Sequence, residues 1–256
     1  MDEISSRRRD LEKLRPLTQA QLEVLWPHWR AEDALFVYAT NAIEGSTLTH
    51  GETIVVLESG VTIGGKPLQD HLDAVHGAEA YALMLDFAQK RVELTLERVL
   101  DLHRAVVGKD SPIAGEVRQE RVSIRGSQHV PPNYMKVPAL LDEMMERYHE
   151  DQAAGVHPVD IASRLHFDLL TIHPFKDGNG RTARLLQNLH LIREGYAPIL
   201  IDPQEKAKYF DVIHAAQVEV PGVRNPAPFL FYMAELERKA LDRYLQVLSQ
   251  HEGSSD

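Results

Sequence analysis

The chain has 256 residues, 43% hydrophobic and 26% charged, with 15 Gly, 14 Pro and no Cys, the balance of a soluble protein of one or two domains with a sizeable core. Without cysteine there is no disulfide framework, no thiolate nucleophile and no Cys-ligated zinc or iron–sulfur cluster. The 28 Lys plus Arg against 38 Asp plus Glu give a formal charge of -10, so nucleic acid is not an expected partner and any phosphate must be held by a local cluster.

The opening stretch is charged, with the basic run Arg7, Arg8 and Arg9 read as solvated. No run of about eighteen apolar residues follows, so a cytoplasmic chain without signal peptide or membrane span is expected. Thr49-His50-Gly51-Glu52 has the form of a capping box and Gly60 closes the pattern, which predicts a helix over about 50–59. Gly60 to Lys66 has the spacing GxxxxGK of a phosphate loop. Pro67 stands where that loop needs Ser or Thr, so the segment is read as a turn.

Further on, Leu72, Val75, Ala78, Ala82 and Leu85 recur at helical spacing, as do Leu96, Val99, Leu100 and His103 before Gly108. Arg121-Val122-Ser123-Ile124-Arg125 alternates charged or polar with β-branched residues ahead of Gly126-Ser127, which predicts a short strand or hairpin. Helical stripes return with Val137, Leu141, Met144, Met145 and Tyr148, then with Ile161, Leu165, Leu169 and Ile172 behind Pro158. A last one covers about 227–250, with Phe229, Met233, Leu236, Leu241, Tyr244, Leu245 and Leu248. The fold expected is all-α, a helical bundle with a short β-hairpin flap.

Chemistry concentrates in His173-Pro174-Phe175-Lys176-Asp177-Gly178-Asn179-Gly180-Arg181-Thr182-Ala183-Arg184. Pro174 stops the preceding helix, and Gly178 and Gly180 permit a tight turn whose amides face inward before a new helix. Such a nest at a helix N-terminus holds an anion on N–H groups and the positive dipole end. Arg181 and Arg184, three apart on one face, reach further phosphates of a polyphosphate. Asn179 suits an N-cap or a phosphate donor. Asp177 would be repelled by phosphate unless a cation such as Mg²⁺ lies between. His173 has the pKa range of a general base.

This string resembles the active-site motif of the Fic family, HPFx(D/E)GNGRxxR, at every defined position. The resemblance extends over roughly 95–220, where Gly115-Glu116-Val117-Arg118, then Val122 to Ser127 and Pro131-Pro132, are similar to the family's flap region. It implies a Mg²⁺-dependent protein adenylyltransferase, moving AMP from ATP to a Ser, Thr or Tyr hydroxyl of a target protein. In that scheme His173 deprotonates the hydroxyl and Asp177 binds Mg²⁺. Gly178, Asn179 and Gly180 hold the α/β-phosphates, Arg181 and Arg184 bind the outer phosphates, and Phe175 anchors the loop. Val122, Ser123, Ile124 and Arg125 dock the target main chain as an added strand. Tyr209 and Gln217 fall where relatives contact the adenine.

A second motif, Thr40-Asn41-Ala42-Ile43-Glu44-Gly45, resembles the family's inhibitory (S/T)xxxE(G/N). It implies that Glu44 pairs with Arg184 and blocks the γ-phosphate position. A Glu at a helix C-terminus opposes the dipole by roughly a few tenths of a kcal/mol, which itself calls for a cationic partner. The organisation expected is an N-terminal helical region over 1–94 with the inhibitory helix at about 28–45, a core over 95–220 and a C-terminal helix over 221–256. A homodimer is also implied. Rival readings are a de-adenylylase using Glu44, a Doc-like phosphotransferase and a non-catalytic nucleotide-binding module.

Overall fold

Capping chemistry decides where several helices begin. Thr18 and Gln21, and again Thr49 and Glu52, form reciprocal capping boxes, while Thr95 caps a third helix through the Arg98 N–H. Left-handed glycines at Gly45 (φ 110) and Gly60 (φ 64) end two helices, as a residue without Cβ allows. The computed structural model describes residues 14, 16–218 and 225–252. The Arg7–Arg9 run and the expected boundary at 220–221 lie outside them.

The described residues form ten α-helices: α1 (Gln19–Ala31), α2 (Asp33–Glu44), α3 (His50–Ser59), α4 (Leu68–Gln89), α5 (Leu96–Val107), α6 (Val137–Ala153), α7 (Pro158–Ile172), α8 (Asn179–Arg193), α9 (Lys206–Val218) and α10 (Ala227–Glu252). At the centre α7 packs on α8, flanked by α4, α5, α6 and α10. Nearly all of α8 is buried, including Arg181, Arg184, Gln187, Asn188 and His190. Polar side chains that deep need designed partners, which marks α8 as the helix that carries the chemistry. No helix among the described residues is long and apolar enough to cross a membrane.

The architecture is all-α as expected, and two local expectations are corrected. Residues 121–132, including the anticipated strand Val122–Arg125, form an irregular loop, and no strand occurs among the described residues. The loop's turn is the Ser127 N–H to Ile124 carbonyl bond of 3.1 Å, with Gly126 at φ 78. Alternation specifies a strand only where a partner edge exists, and here the loop's ends bond to a side chain instead.

The second correction concerns α4. Leu72 and Val75, both 40% exposed, face out, while His71, Ala74, Gly77, Tyr81, Met84 and Leu85 face in. The larger apolar residues suggested one face, but close approach of α2 selected the small ones. A Cβ at Gly77 would stand 3.2 Å from Val37 Cγ1. The phosphate-loop lookalike is a turn, with Lys66 Nζ bonded to the Thr47 carbonyl at 2.5 Å and paired with Glu52 at 3.2 Å.

Glu237 on α10 is fully buried; its Oε1 accepts from the Ala197 N–H at 3.0 Å and its Oε2 has no partner. Burial raises its pKa well above the carboxylate range. A raised folded pKa gives stability that is present below the unfolded value and lost as pH rises through the folded one. Glu237→Gln keeps the acceptor and removes the ionisation. It should raise stability by about 1 kcal/mol or more in mildly alkaline buffer and change little near about pH 4, where the unfolded carboxyl is also largely protonated. Calorimetric melts at both pH values check this; equal effects at both would count against a neutral buried acid.

Candidate active site

The site is built on the junction between α7 and α8. Pro174 prevents α7 from continuing, and His173 caps it in the left-handed region (φ 50, ψ 58), its N–H donating to the Leu169 carbonyl at 2.8 Å. Phe175 is fully buried and stacks on the His103 ring at 3.7 Å. The Asn179 amide closes the loop on the Phe175 backbone, accepting from its N–H and donating to its carbonyl, both at 2.9 Å. Both polar atoms of Asn179 therefore brace the loop.

His103 Nδ1 accepts from the Gly115 N–H at 3.1 Å, so Nε2 carries the proton and donates to the Asp177 carbonyl at 3.0 Å. Burial pushes this imidazole down to about 4, against the pull of the Asp177 contacts. Gly178 turns the chain at φ 77, and a Cβ there would lie 3.0 Å from Val107 Cγ1. The first amides of α8 are left without intrahelical partners, and they form an anion-seeking end.

An anion already lies there. The Glu44 carboxylate, at the end of α2, stands over Gly180 so closely that a Cβ on Gly180 would collide with it. The same carboxylate pairs with Arg184 Nη2 at 2.5 Å. Thr40 completes the grip, its hydroxyl accepting from Arg184 Nε at 2.7 Å and its carbonyl from Nη2 at 3.2 Å. Only 6% of the Arg184 side chain is exposed against 39% for Glu44. Burial lowers the guanidinium pKa, but the Glu44 carboxylate and the Tyr209 hydroxyl together outweigh it and the net shift is upward. Gly45 lets the chain leave α2, with the Ser46 N–H returned to the Asn41 carbonyl at 2.9 Å.

Glu44, Gly180, Arg184 and His173 line one cavity of about 440 Å³, with Ile124, Arg125, Tyr209 and Gln217 among its other walls. His173 is half-buried, and its Nδ1 lacks a well-formed hydrogen bond. Burial pushes the imidazole down to about 4; Arg118 and His129 add to this, while the Leu170 carbonyl and Glu44 oppose it. The ring is thus neutral at physiological pH.

Tyr209, on α9, forms a buried floor, its hydroxyl 2.8 Å from His166 Nε2. Gln217 Nε2 donates to Thr171 Oγ1 at 3.2 Å. Of the four flap residues, Ile124 and Arg125 reach the cavity, whereas Val122 and Ser123 do not line it.

Arg181 and Arg184, three apart in sequence, diverge in space. Arg181 pairs with Asp73 of α4 at 2.8 Å and with Asp177 at 3.2 Å, and with both it lines a second cavity of about 540 Å³. The Asp177 side chain is 68% exposed, and its Oδ1 accepts from the Gly178 N–H at 2.7 Å. No cluster of three or more His, Cys, Asp or Glu suited to a metal occurs among the described residues. A single exposed carboxylate nonetheless fits Mg²⁺ of the kind held by one carboxylate plus substrate phosphates.

Three residues that matter here had no role in the sequence reading. His103 had appeared only as part of an apolar stripe, Arg118 only within a flap string, and Asp73 not at all. The short Gly115-to-Arg118 string was a usable signal for Arg118. Nothing local marks Asp73, because its partner is more than a hundred residues away.

Residues 93–191 match the Fic/DOC family model. The protein adenylyltransferase Fic of Drosophila ananassae is 36% identical over 215 residues, 83% of this chain and 42% of its own length. The chain therefore spans less than half the length of the curated relatives it matches. Among solved structures, Fic-1 (aa134–508) of C. elegans is similar at 28% identity and a TM-score of 0.77, covering 97% of this chain and 71% of that one. A Fic domain containing signaling protein from Bacteroides thetaiotaomicron gives 27% identity and a TM-score of 0.75, with 96% and 97% covered. These likenesses run well beyond the motif loop, and residues 93–191 of the chain carry a domain of the Fic/DOC family.

Proposed function

We propose that the protein is an adenylyltransferase that moves AMP from ATP to a Ser, Thr or Tyr hydroxyl of a target protein and is held in check by Glu44. One observation carries this reading: a carboxylate fills the anion end of α8 and neutralises Arg184 in the cavity where a neutral His173 waits. Built for phosphate, the nest holds a carboxylate in its place. With Glu44 withdrawn, the Gly180 amide and the Arg184 guanidinium are free for the phosphates, while the Gly178 N–H still donates to Asp177 Oδ1. His173 then takes the proton from the attacking hydroxyl, whose oxygen bonds to the α-phosphorus as the bond to pyrophosphate breaks. Arg184 stabilises the departing charge, as would Arg181 once its guanidinium turns from Asp73.

Asp177 would hold Mg²⁺, which supplies charge neutralisation at the phosphates. Tyr209 shapes the floor of the adenine end and Gln217 its wall, and the exposed backbone of the 121–125 loop offers hydrogen bonds to a target strand. A second reading is favoured by the partial exposure of Glu44 beside His173, which suits positioning a water to remove AMP. Intact mass spectrometry with ATP separates the options. An adenylyl increment supports transfer, and a phosphoryl increment would assign the Doc-like reaction. Loss of AMP from a modified target would assign removal.

We also propose that the protein is a cytoplasmic homodimer. Leu68, Leu72 and Val75 lie on one face of α4 and are 67%, 40% and 40% exposed, and apolar groups at that spacing favour a second copy. Leu68→Asp should convert the dimer to monomer in light scattering; an unchanged mass would sink this interface.

A further inference from the structure

Arg118 is a buried cation without an ion pair among the described residues. Its fork is spent on carbonyls. Nε donates to the His173 carbonyl at 2.8 Å and Nη2 to that of Ile172 at 3.5 Å, two acceptors left open where α7 ends. Nη1 donates to the Glu120 carbonyl at 2.9 Å and Nη2 to that of Pro132 at 2.7 Å, the two roots of the loop that overhangs the cavity. Its own N–H donates to the Pro174 carbonyl at 2.9 Å.

We propose that Arg118 is a positioning residue, whose guanidinium ties the His173 backbone and both roots of the 120–132 loop into one frame, so that the base and the docking loop keep a fixed separation. The proposal rests on the reading of His173 as the base.

Two features make such a frame necessary. His173 sits in the left-handed region, a conformation that costs a non-glycine residue on the order of 1 kcal/mol or more and persists only when its surroundings over-determine it. The loop has no strand pairing of its own, so its roots must be held from outside. A further tie, from His129 Nε2 to the Thr171 carbonyl at 2.8 Å, joins the loop to α7. A planar fork with donors in fixed directions suits several carbonyls at once, which an ammonium does not. The positive charge also helps keep the imidazole unprotonated, acting with His129 against Glu44 and the Leu170 carbonyl.

The test uses the full chain carrying Glu44→Gly, with Arg118→Lys, which keeps the charge and loses the fork, and Arg118→Gln, which loses the charge. Tryptic nicking after Arg121 and Arg125 should be about tenfold faster in both variants, with sites elsewhere in the chain cut no faster. Turnover should fall about 10- to 100-fold with ATP affinity unchanged. The acid limb of the pH–rate profile should rise in Arg118→Gln and stay in place in Arg118→Lys. Unchanged nicking would overturn the proposal, as would a loss of ATP affinity that matches the loss of turnover. Melting lowered so far that nicking spreads along the whole chain would make Arg118 a general core residue and overturn it too. If the parent protein transfers no AMP, the adenylyltransferase reading fails. The nicking result then still decides the clamp.

Discussion

Glu44→Gly should raise Mg²⁺–ATP-dependent auto-adenylylation about 10- to 100-fold. The carboxylate is bound by one charge-assisted bond to Arg184 and stands over the first amides of α8. A bond of that kind contributes on the order of 1.5–3 kcal/mol, and the γ-phosphate must displace it before ATP can sit productively. Removing it turns that displacement cost into binding free energy. The same substitution leaves Arg184 buried without its carboxylate partner, so the ligand-free variant should melt lower, by about 1–3 kcal/mol of stability. Added ATP should restore more of the melting temperature than it gives the parent. Glu44→Gln, which keeps the size without the charge, should fall between the two in activity. Intact mass spectrometry reads the AMP increments and calorimetry the stabilities. Equal activity in all three proteins would show that the Glu44–Arg184 pair is no brake.

His173→Ala, placed in the Glu44→Gly background, should reduce transfer by about 10²- to 10⁴-fold while ATP binding persists. Alanine takes the left-handed region poorly, and His173 occupies it at φ 50. His173→Asn is the cleaner variant because asparagine tolerates that backbone and has no titratable group. Both should be inactive; an inactive Ala with an active Asn would mean that the backbone, not the imidazole, was lost.

The pH profile adds an independent check. Burial holds the ring at about 4, so the base stays unprotonated down to that pH, and kcat/KM should keep its acid plateau until about 4 rather than turning down near the ordinary imidazole value. The sign for stability follows from the same shift. A depressed folded pKa gives stability that is complete above the unfolded value and is lost as pH falls toward the folded one. His166 and His190, both pushed by burial to about 3, add to this loss in acid. An acid limb near 6.5 would show that His173 is solvated in the working protein.

Local chemistry made much of this protein legible in the amino-acid order. Capping boxes at Thr49 and left-handed glycines at Gly45 and Gly60 set helix ends through contacts within a few residues, and such contacts do not depend on the rest of the fold. The loop from His173 to Arg184 was readable for the same reason: its glycines, proline and helix start are one continuous device. Tertiary structure alone decided which face of α4 is buried, since α2 could approach only over Ala74 and Gly77. It also decided that Arg181 turns to Asp73 while Arg184 turns to Glu44, although the two arginines share one helical turn. The strand signal at Val122–Arg125 failed because a strand requires a partner edge, and the chain folds without placing one there. The sequence by itself determined the capped helices and the anion-binding loop, but not the break at Glu32 that divides the helix expected over about 28–45 into α1 and α2. Which charges face each other across α8 was settled only by packing, because an ion pair between residues 140 positions apart leaves no periodic trace along the chain.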